Sequence, residues 1–522
     1  MTFKLTYSTM FDPPEEMHER FDAALRDVRR SLGGAHQLYI NGRDRSTPIT
    51  FEKRSPIDHR EVLGTFAAAA AADVDDAVAA AKAAFPKWRA TPAAERERIL
   101  LRAAALLEER VYTIGAALAL EVGKNRMEAL GEAQETADFF TSYTHDFQRN
   151  GGYSIELPDD PLNDYRSHNR SVLKPHGVWG VIAPFNFPLA LAGGPVAAAL
   201  ITGNTVVLKA SIETPWSGRL LAECLRDAEL PHGVFNYLIG SGSVVGEALV
   251  GHPDLAGITF TGSYGVGMAI YRRFASGGYP RPCIAEMGGK NACIVTGRAD
   301  LDRAANGIVR SAYGLTGQKC SALSRVYVET DVADDLIRRL VEKIAAIRVG
   351  DPTKRENWMG PVISETAAST YSRYCNELFA GGGRLLAGGK RLADGDLANG
   401  WFVAPTLAEA PPNHPLFTEE MFQPILMLAR VRGLHDALAL ANDVPFALTA
   451  GCYGDDSEAR EFLDRIEAGV TYVNRPQGAT TGAWPGYQPF GGWKASGTTG
   501  KAIGSRYYLP LYLREQSQTV VE

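Results

Sequence analysis

Cys320 stands in GLTGQKCSALSR, residues 314–325, between a lysine and a serine and among small residues. An inert cysteine packs as a small hydrophobe among Leu, Ile and Val, so this polar setting marks a thiol placed for reaction. Cys224, Cys293, Cys375 and Cys452 lie in mainly apolar or helical contexts and read as buried thiols. None of the six cysteines forms a CxxC pair or has a histidine at zinc-ligand spacing, so neither a disulfide framework nor a metal is expected.

Glu286 in AEMGGKN, Asn186 in APFNFP and Lys209 at the end of TVVLK each follow a short apolar run. Singly, each has a plain structural reading: a solvated turn residue, a turn former between Pro184 and Pro188, and a strand-end charge reaching water. Gly262, Gly265 and Gly267 in FTGSYGVG precede the helical pattern VGMAIYRRF, whose N-terminus can receive a phosphate through backbone N–H groups. Their spacing is not GxGxxG, and the stretch from Gly240 through Gly242 to Gly246 is one residue too long for that fingerprint. Each loop alone also reads as an ordinary tight turn.

The elements that must position these residues are legible as runs. VWGVIAPF, TVVLKAS, GVFNYLIG, GITFTGS, NACIVTG and SRVYVE alternate with helical patterns, which predicts parallel sheets covered by helices. Ligands in such folds bind beyond the carboxyl ends of the strands, so PFNFP, KASIETP, GSGSVVG, GSYGVG and EMGGKN are expected to hold the chemistry. In TPAAERERILLRAAALLEER, Thr91 is expected to cap a helix and Pro92 to fill its first position. The alanine run at 67–72 reads as a strand end entering a helix near Asp73. The tyrosine- and leucine-rich tail and YRSHNRSVLKPHG at 165–177 read as extended segments that pair across subunits.

Composition bounds the rest. With 522 residues, 45% of them apolar, the chain divides into two or three domains. Fifty-four basic against sixty acidic residues give a net charge of −6, which offers no electrostatic case for a nucleic-acid or anionic-membrane partner. The N-terminal MTFKLTYSTMFDPPEEMHER has no uninterrupted apolar stretch of signal-peptide length, no window elsewhere approaches the roughly 20 apolar residues of a spanning helix, and a cytoplasmic location is expected.

Taken in order, PFNFP, VVLK, FTGS, EMGGKN, GQKCS, EEMFQP and QPFGGWKASG resemble the motifs of the aldehyde dehydrogenase superfamily along nearly the whole chain. The resemblance implies an α/β fold with three parts. These are a Rossmann-like NAD-binding domain (1–156 and 178–286), an α/β catalytic domain (287–495) and a small β oligomerisation element (157–177 and 496–522). A homodimer or dimer-based oligomer is implied with it. The implied chemistry starts with a thiolate: a nucleophile added to an aldehyde gives a tetrahedral alkoxide whose collapse expels hydride and leaves an acyl-enzyme. Cys320 takes that role. The Asn186 amide and the Cys320 backbone N–H become the oxyanion donors, each worth about 3 kcal/mol, and Glu286 the base that activates water against the thioester. A thiol hydrolase would need a histidine base, which no motif supplies.

With no flavin or metal signature, nicotinamide accepts the hydride. By resemblance Lys209 meets the adenosine ribose, Ser263 the pyrophosphate, and Glu420 with Phe422 the nicotinamide end. Gly242, Gly267, Pro184 and Phe185 complete the cofactor set. Ile212 stands where many NAD-preferring relatives carry an acid, with Glu213 one place later, so NAD is expected with NADP as a detectable second cofactor. Gln423 replaces a family glycine in EEMFQP.

Within the superfamily, GQKCS and the stretch from Gly482 to Phe490 resemble the enzymes that oxidise L-glutamate γ-semialdehyde to L-glutamate in proline breakdown. Lys319, Ser321 and the backbone at Gly482 and Ala483 would then hold the substrate carboxylate, Glu135 its ammonium, and Phe187 with Phe490 its aliphatic chain. Trp484 and Pro485 depart from the small residues expected there, which keeps open another amino-acid-derived or aromatic aldehyde.

Overall fold

The six apolar runs all become strands, and they divide between two seven-stranded sheets. A computed structural model describes residues 5–6, 9–10, 13–161, 164–478 and 484–522. The first sheet has the order Cys283–Glu286, Leu255–Thr261, Val178–Ile182, Thr205–Ala210, Phe235–Ile239, Leu38–Ile40 and Arg43–Arg45. Its first five strands run parallel, and Leu38–Ile40 joins antiparallel through Tyr39 opposite Tyr237. The second sheet has the order Arg384–Ala387, Thr406–Glu409, Ile425–Val431, Leu323–Glu329, Asn291–Val295, Thr449–Tyr453 and Val470–Val473. Only Arg384–Ala387 is antiparallel to its neighbour there. Because both faces of a parallel sheet are covered, strands such as Thr205–Ala210 and Asn291–Val295 are buried at every position.

The helices of the first half deviate from expectation in one detail. The helix Ala71–Ala90 runs so far that Thr91 ends it, its hydroxyl bonding the Lys87 carbonyl, and the next helix, Ala93–Glu109, takes Pro92 as its N-cap. Asp73 does mark the start of its helix, accepting the Ala70 N–H at 2.8 Å from inside the first turn. Two further helices, Val111–Val122 and Arg126–Arg149, lie almost wholly buried and carry acidic residues inward.

Within the chain, the tail and the 165–177 segment pair with each other. Leu513–Val521 runs antiparallel to Ser167–Pro175 in unbroken register, from Leu513 opposite Pro175 to Val521 opposite Ser167. Each thereby satisfies backbone groups that the other needs. Ser154–Leu157 covers the far side, so this small sheet begins a few residues before position 157 and leaves Leu513–Val521 on its edge.

Candidate active site

Glu286 is the last residue of its strand, at the carboxyl edge of the first sheet, and Asn291 opens a strand of the second. Between them lie Gly288 and Gly289, where a Cβ would collide with the Glu420 carboxylate and the Cys320 carbonyl oxygen respectively. Asn291 is in register with Leu323 on the neighbouring parallel strand, so the segment before Leu323, which contains Cys320, is drawn against the glycines. The Asn291 amide clamps that segment: Nδ2 donates to the carbonyls of Cys320 (2.6 Å) and Ala322 (2.8 Å), and Oδ1 accepts from the Thr449 N–H (3.0 Å). Nothing in the sequence distinguished this asparagine from a turn residue; its place two residues after a glycine pair and at a strand start was the available signal.

Upstream of Cys320 the backbone is strained. Leu315, Thr316 and Gly317 have φ of 48°, 55° and 68°, and the left-handed region costs a non-glycine residue about 1–3 kcal/mol. The turn is held by the Leu315 N–H on Glu128 Oε1 (2.9 Å), Thr316 Oγ1 on the Gly360 carbonyl (2.9 Å), and the Ile363 N–H on Gln318 Oε1 (2.9 Å). At Gly317 a Cβ would strike the Gln423 carbonyl. Gln423 itself avoids the left-handed region, which falls on Phe422 (φ 54°) instead, and its side chain is tied by Nε2 to the Ala367 carbonyl at 3.0 Å.

Cys320 is half-buried, whereas the other five cysteines are buried. Burial, then the charges of Glu420 and Glu286, push its thiol up to about 12. Burial also lifts Glu286 well above the usual carboxylate range. The Oε2 atom of Glu286 makes no hydrogen bond among the described residues. The Glu286 carboxylate lies close enough to hold the Cys320 thiol up, and a positive charge placed beside the sulfur would ease its ionisation. Asn186 is buried in the loop after Val178–Ile182.

The cofactor residues gather at the carboxyl edge of the first sheet. Lys209 is 7% exposed, and burial lowers its ammonium to about 8. Ser263 is the N-cap of the helix Tyr264–Ala275, but its hydroxyl caps nothing, and Gly242 has open space where a Cβ would stand. Around them Ile212, Val244, Tyr264 and Val266 expose apolar surface. A lone buried cation, an uncapped helix start and an apolar rim suit a dinucleotide. At Gly267 a Cβ would meet Met287 Sδ at 2.6 Å, so its smallness brings helix and sheet together. Phe185 and Phe422 meet edge to face at 5.9 Å, while Glu420 Oε1 accepts the Gly289 N–H at 2.9 Å. Glu213 points to Lys53, 3.4 Å away.

Of the substrate residues, Lys319 pairs with Glu128 at 3.2 Å and lies 5.9 Å from the Phe187 ring centre. Ser321 and Glu135 are buried, and Phe490 is half-buried. Lys319 and Ser321 line a cavity of about 340 Å³ with Asn125, Glu128 and Arg310. Gly482 and Ala483 lie outside the described residues. Trp484 is 5% exposed, and its indole N–H donates to Asp138 Oδ2 at 2.7 Å.

The fold and the Cys320–Glu286 arrangement define a class, and the sequence profile of the Aldehyde dehydrogenase family matches residues 43–517. The chain belongs to the aldehyde dehydrogenase family. It is 38% identical over 516 residues to a 1-pyrroline-5-carboxylate dehydrogenase of Halalkalibacterium halodurans, covering 97% of both chains. It is 39% identical over 517 residues to that of Geobacillus kaustophilus, again covering 97% of each. The crystal structure of 1-pyrroline-5-carboxylate dehydrogenase from Thermus with bound NAD superposes with a TM-score of 0.92 at 35% identity, over 100% of this chain and 99% of that one. No helix among the described residues is long and apolar enough to cross a membrane.

The raised Cys320 thiol generates a prediction for the free enzyme. Its alkylation by iodoacetamide should accelerate about tenfold per pH unit between about pH 7 and 10, since the thiolate fraction grows in that proportion below the pKa. Peptide mapping identifies the site. A rate that levels off below about pH 9 would show that the thiol is already activated without ligand.

Proposed function

We propose that the chain oxidises L-glutamate γ-semialdehyde, the open form of 1-pyrroline-5-carboxylate, to L-glutamate, with Cys320 as nucleophile. The observation that carries the reading is the Asn291 clamp, which presents Cys320 to the end of the Glu286 strand, in a chain alike over its whole length to 1-pyrroline-5-carboxylate dehydrogenases. NAD would be held by Lys209, Ser263, Gly267, Gly242, Glu420, Phe422, Pro184 and Phe185 and, when bound, would accept the hydride.

The chain's own residues do the rest. The Cys320 thiol gives its proton to solvent water and its sulfur adds to the aldehyde carbon, giving the alkoxide of a thiohemiacetal. The alkoxide oxygen rests on the Asn186 amide and the Cys320 N–H. Its collapse reforms the carbonyl, expels hydride and leaves a thioester. The Glu286 carboxylate takes a proton from a water with its unengaged Oε2; the hydroxide adds to the thioester carbon, the C–S bond breaks to release the carboxylic acid and the Cys320 thiolate, and the proton held by Glu286 returns the thiolate to the thiol. Lys319 and Ser321 hold the substrate carboxylate, with the backbone at Gly482 and Ala483, and Glu135 receives the ammonium. Phe187 and Phe490 sandwich the chain between them.

Measured kcat/KM should favour glutamate γ-semialdehyde over propionaldehyde and phenylacetaldehyde, with NAD preferred and NADP detectable. Ser321→Ala removes a charge-assisted hydrogen bond worth about 1.5–3 kcal/mol and should slow only the substrate that carries the carboxylate. Equal losses on all three aldehydes, or a wild-type preference for phenylacetaldehyde, would overturn the substrate assignment. Assembly as a dimer-based oligomer is proposed from the edge position of Leu513–Val521 and from the exposed Ile155, Val520 and Val521 of the same sheet. Light scattering should then give at least a dimer at micromolar concentration, and a fully active monomer contradicts it.

A further inference from the structure

Lys124 and Glu132 form an ion pair, 2.5 Å, in which both side chains have no exposed surface. The pair is not an isolated burial of charge. While Oε2 of Glu132 meets Lys124, its Oε1 accepts the N–H groups of Leu189 (2.8 Å) and Ala190 (3.2 Å). These open the helix Ala190–Ile201, whose N-cap, Leu189, offers no side-chain acceptor. Asn186 is three residues upstream. The Lys124 ammonium lies 3.6 Å from the centre of the Phe187 ring, the residue that follows Asn186, and Lys319 approaches the same ring from the catalytic loop. The segment that carries Asn186 is therefore held on its C-terminal side, Phe187 by Lys124 and Leu189 by Glu132.

We propose that Glu132 is a positioning residue: by accepting the first N–H groups of the Ala190–Ile201 helix, it fixes the loop that carries the Asn186 oxyanion donor. Two physical points support the role. A helix start leaves N–H groups without partners, and a carboxylate there gains from both hydrogen bonds and the helix dipole. A buried ion pair seldom stabilises more than an apolar pair of the same volume, so stability does not account for placing one here, whereas orientation of the oxyanion donor does. Lys124 holds the carboxylate in place through the ion pair and packs on the Phe187 ring.

The inference rests on the reading of Asn186 as an oxyanion donor, and the test separates the two. Stopped-flow measurement of the first turnover with glutamate γ-semialdehyde and NAD on the wild type, and on Asn186→Ala, settles that reading by itself. Glu132 is then tested in two double variants of equal charge, Lys124→Met/Glu132→Gln and Lys124→Met/Glu132→Leu. Glutamine keeps an acceptor for Leu189 and Ala190, and leucine does not. The glutamine variant should stay within about threefold of the wild-type hydride-release rate, and the leucine variant should fall about 10- to 100-fold below it, the cost of a misplacement near 1 Å. NAD affinity by fluorescence quenching should not differ between them. Equal hydride-release rates in the two variants overturn the proposal, as does an equal loss in NAD affinity, which would mark a general structural role. If the leucine variant does not fold, Glu132→Asp, which keeps the charge but shortens the reach, should slow hydride release about tenfold without weakening NAD; an unchanged rate overturns the proposal equally.

Discussion

The active site depends on the passage of the chain from one parallel sheet to the other between Glu286 and Asn291. Glu286 is the last residue of the first sheet and Asn291 the first of a strand in the second. The two groups needed for a two-stage acyl chemistry thus come from opposite sides of one short linker. That geometry requires the absence of a Cβ at Gly288 and Gly289 and the amide of Asn291 on the carbonyls of Cys320 and Ala322. Parallel register does the long-range work: pairing Asn291 with Leu323 brings the cysteine loop to the linker without any direct bond between Cys320 and Glu286.

Around this junction, buried carboxylates hold the surrounding loops in place by capping helices. Glu121 accepts the N–H groups of Trp216 (2.6 Å) and Ser217 (3.0 Å) and the Ser217 hydroxyl, at the start of the helix that follows the Lys209 strand. Burial raises it to about 7, against the pull of these bonds. Glu132 does the same at the helix that follows the Asn186 loop, and Glu128 ties the strained turn before Cys320. The helices Val111–Val122 and Arg126–Arg149 therefore serve as a frame, with Glu121, Glu128 and Glu132 each fixing one segment near the substrate or cofactor residues. The strain at Leu315 and Thr316 persists because that frame over-determines it.

The strands were legible because short apolar runs bounded by glycine and proline leave little choice in a parallel sheet, and residues at their ends fell at the carboxyl edge as that pattern requires. The frame was not legible. Glu128, Glu132 and Glu135 recur at i, i+4 and i+7, a spacing that on a surface helix marks a solvated face; only the burial of the whole Arg126–Arg149 helix turns that face inward. The hydrogen bond of Trp484 to Asp138 was not legible either, because it joins residues 346 positions apart. The tail was legible as extended, but its pairing with Ser167–Pro175 was not, because strand pairing within a chain and between chains has the same local signature.

The claim that Cys320 and Glu286 divide the reaction between them is tested most directly by trapping the intermediate. Glu286→Gln, mixed with glutamate γ-semialdehyde and NAD and quenched in acid, is expected to release about one equivalent of reduced cofactor per site. Peptide mass spectrometry should then find a glutamyl thioester on Cys320. A variant that releases no reduced cofactor, or one that turns over repeatedly with Cys320 unmodified, would contradict the account.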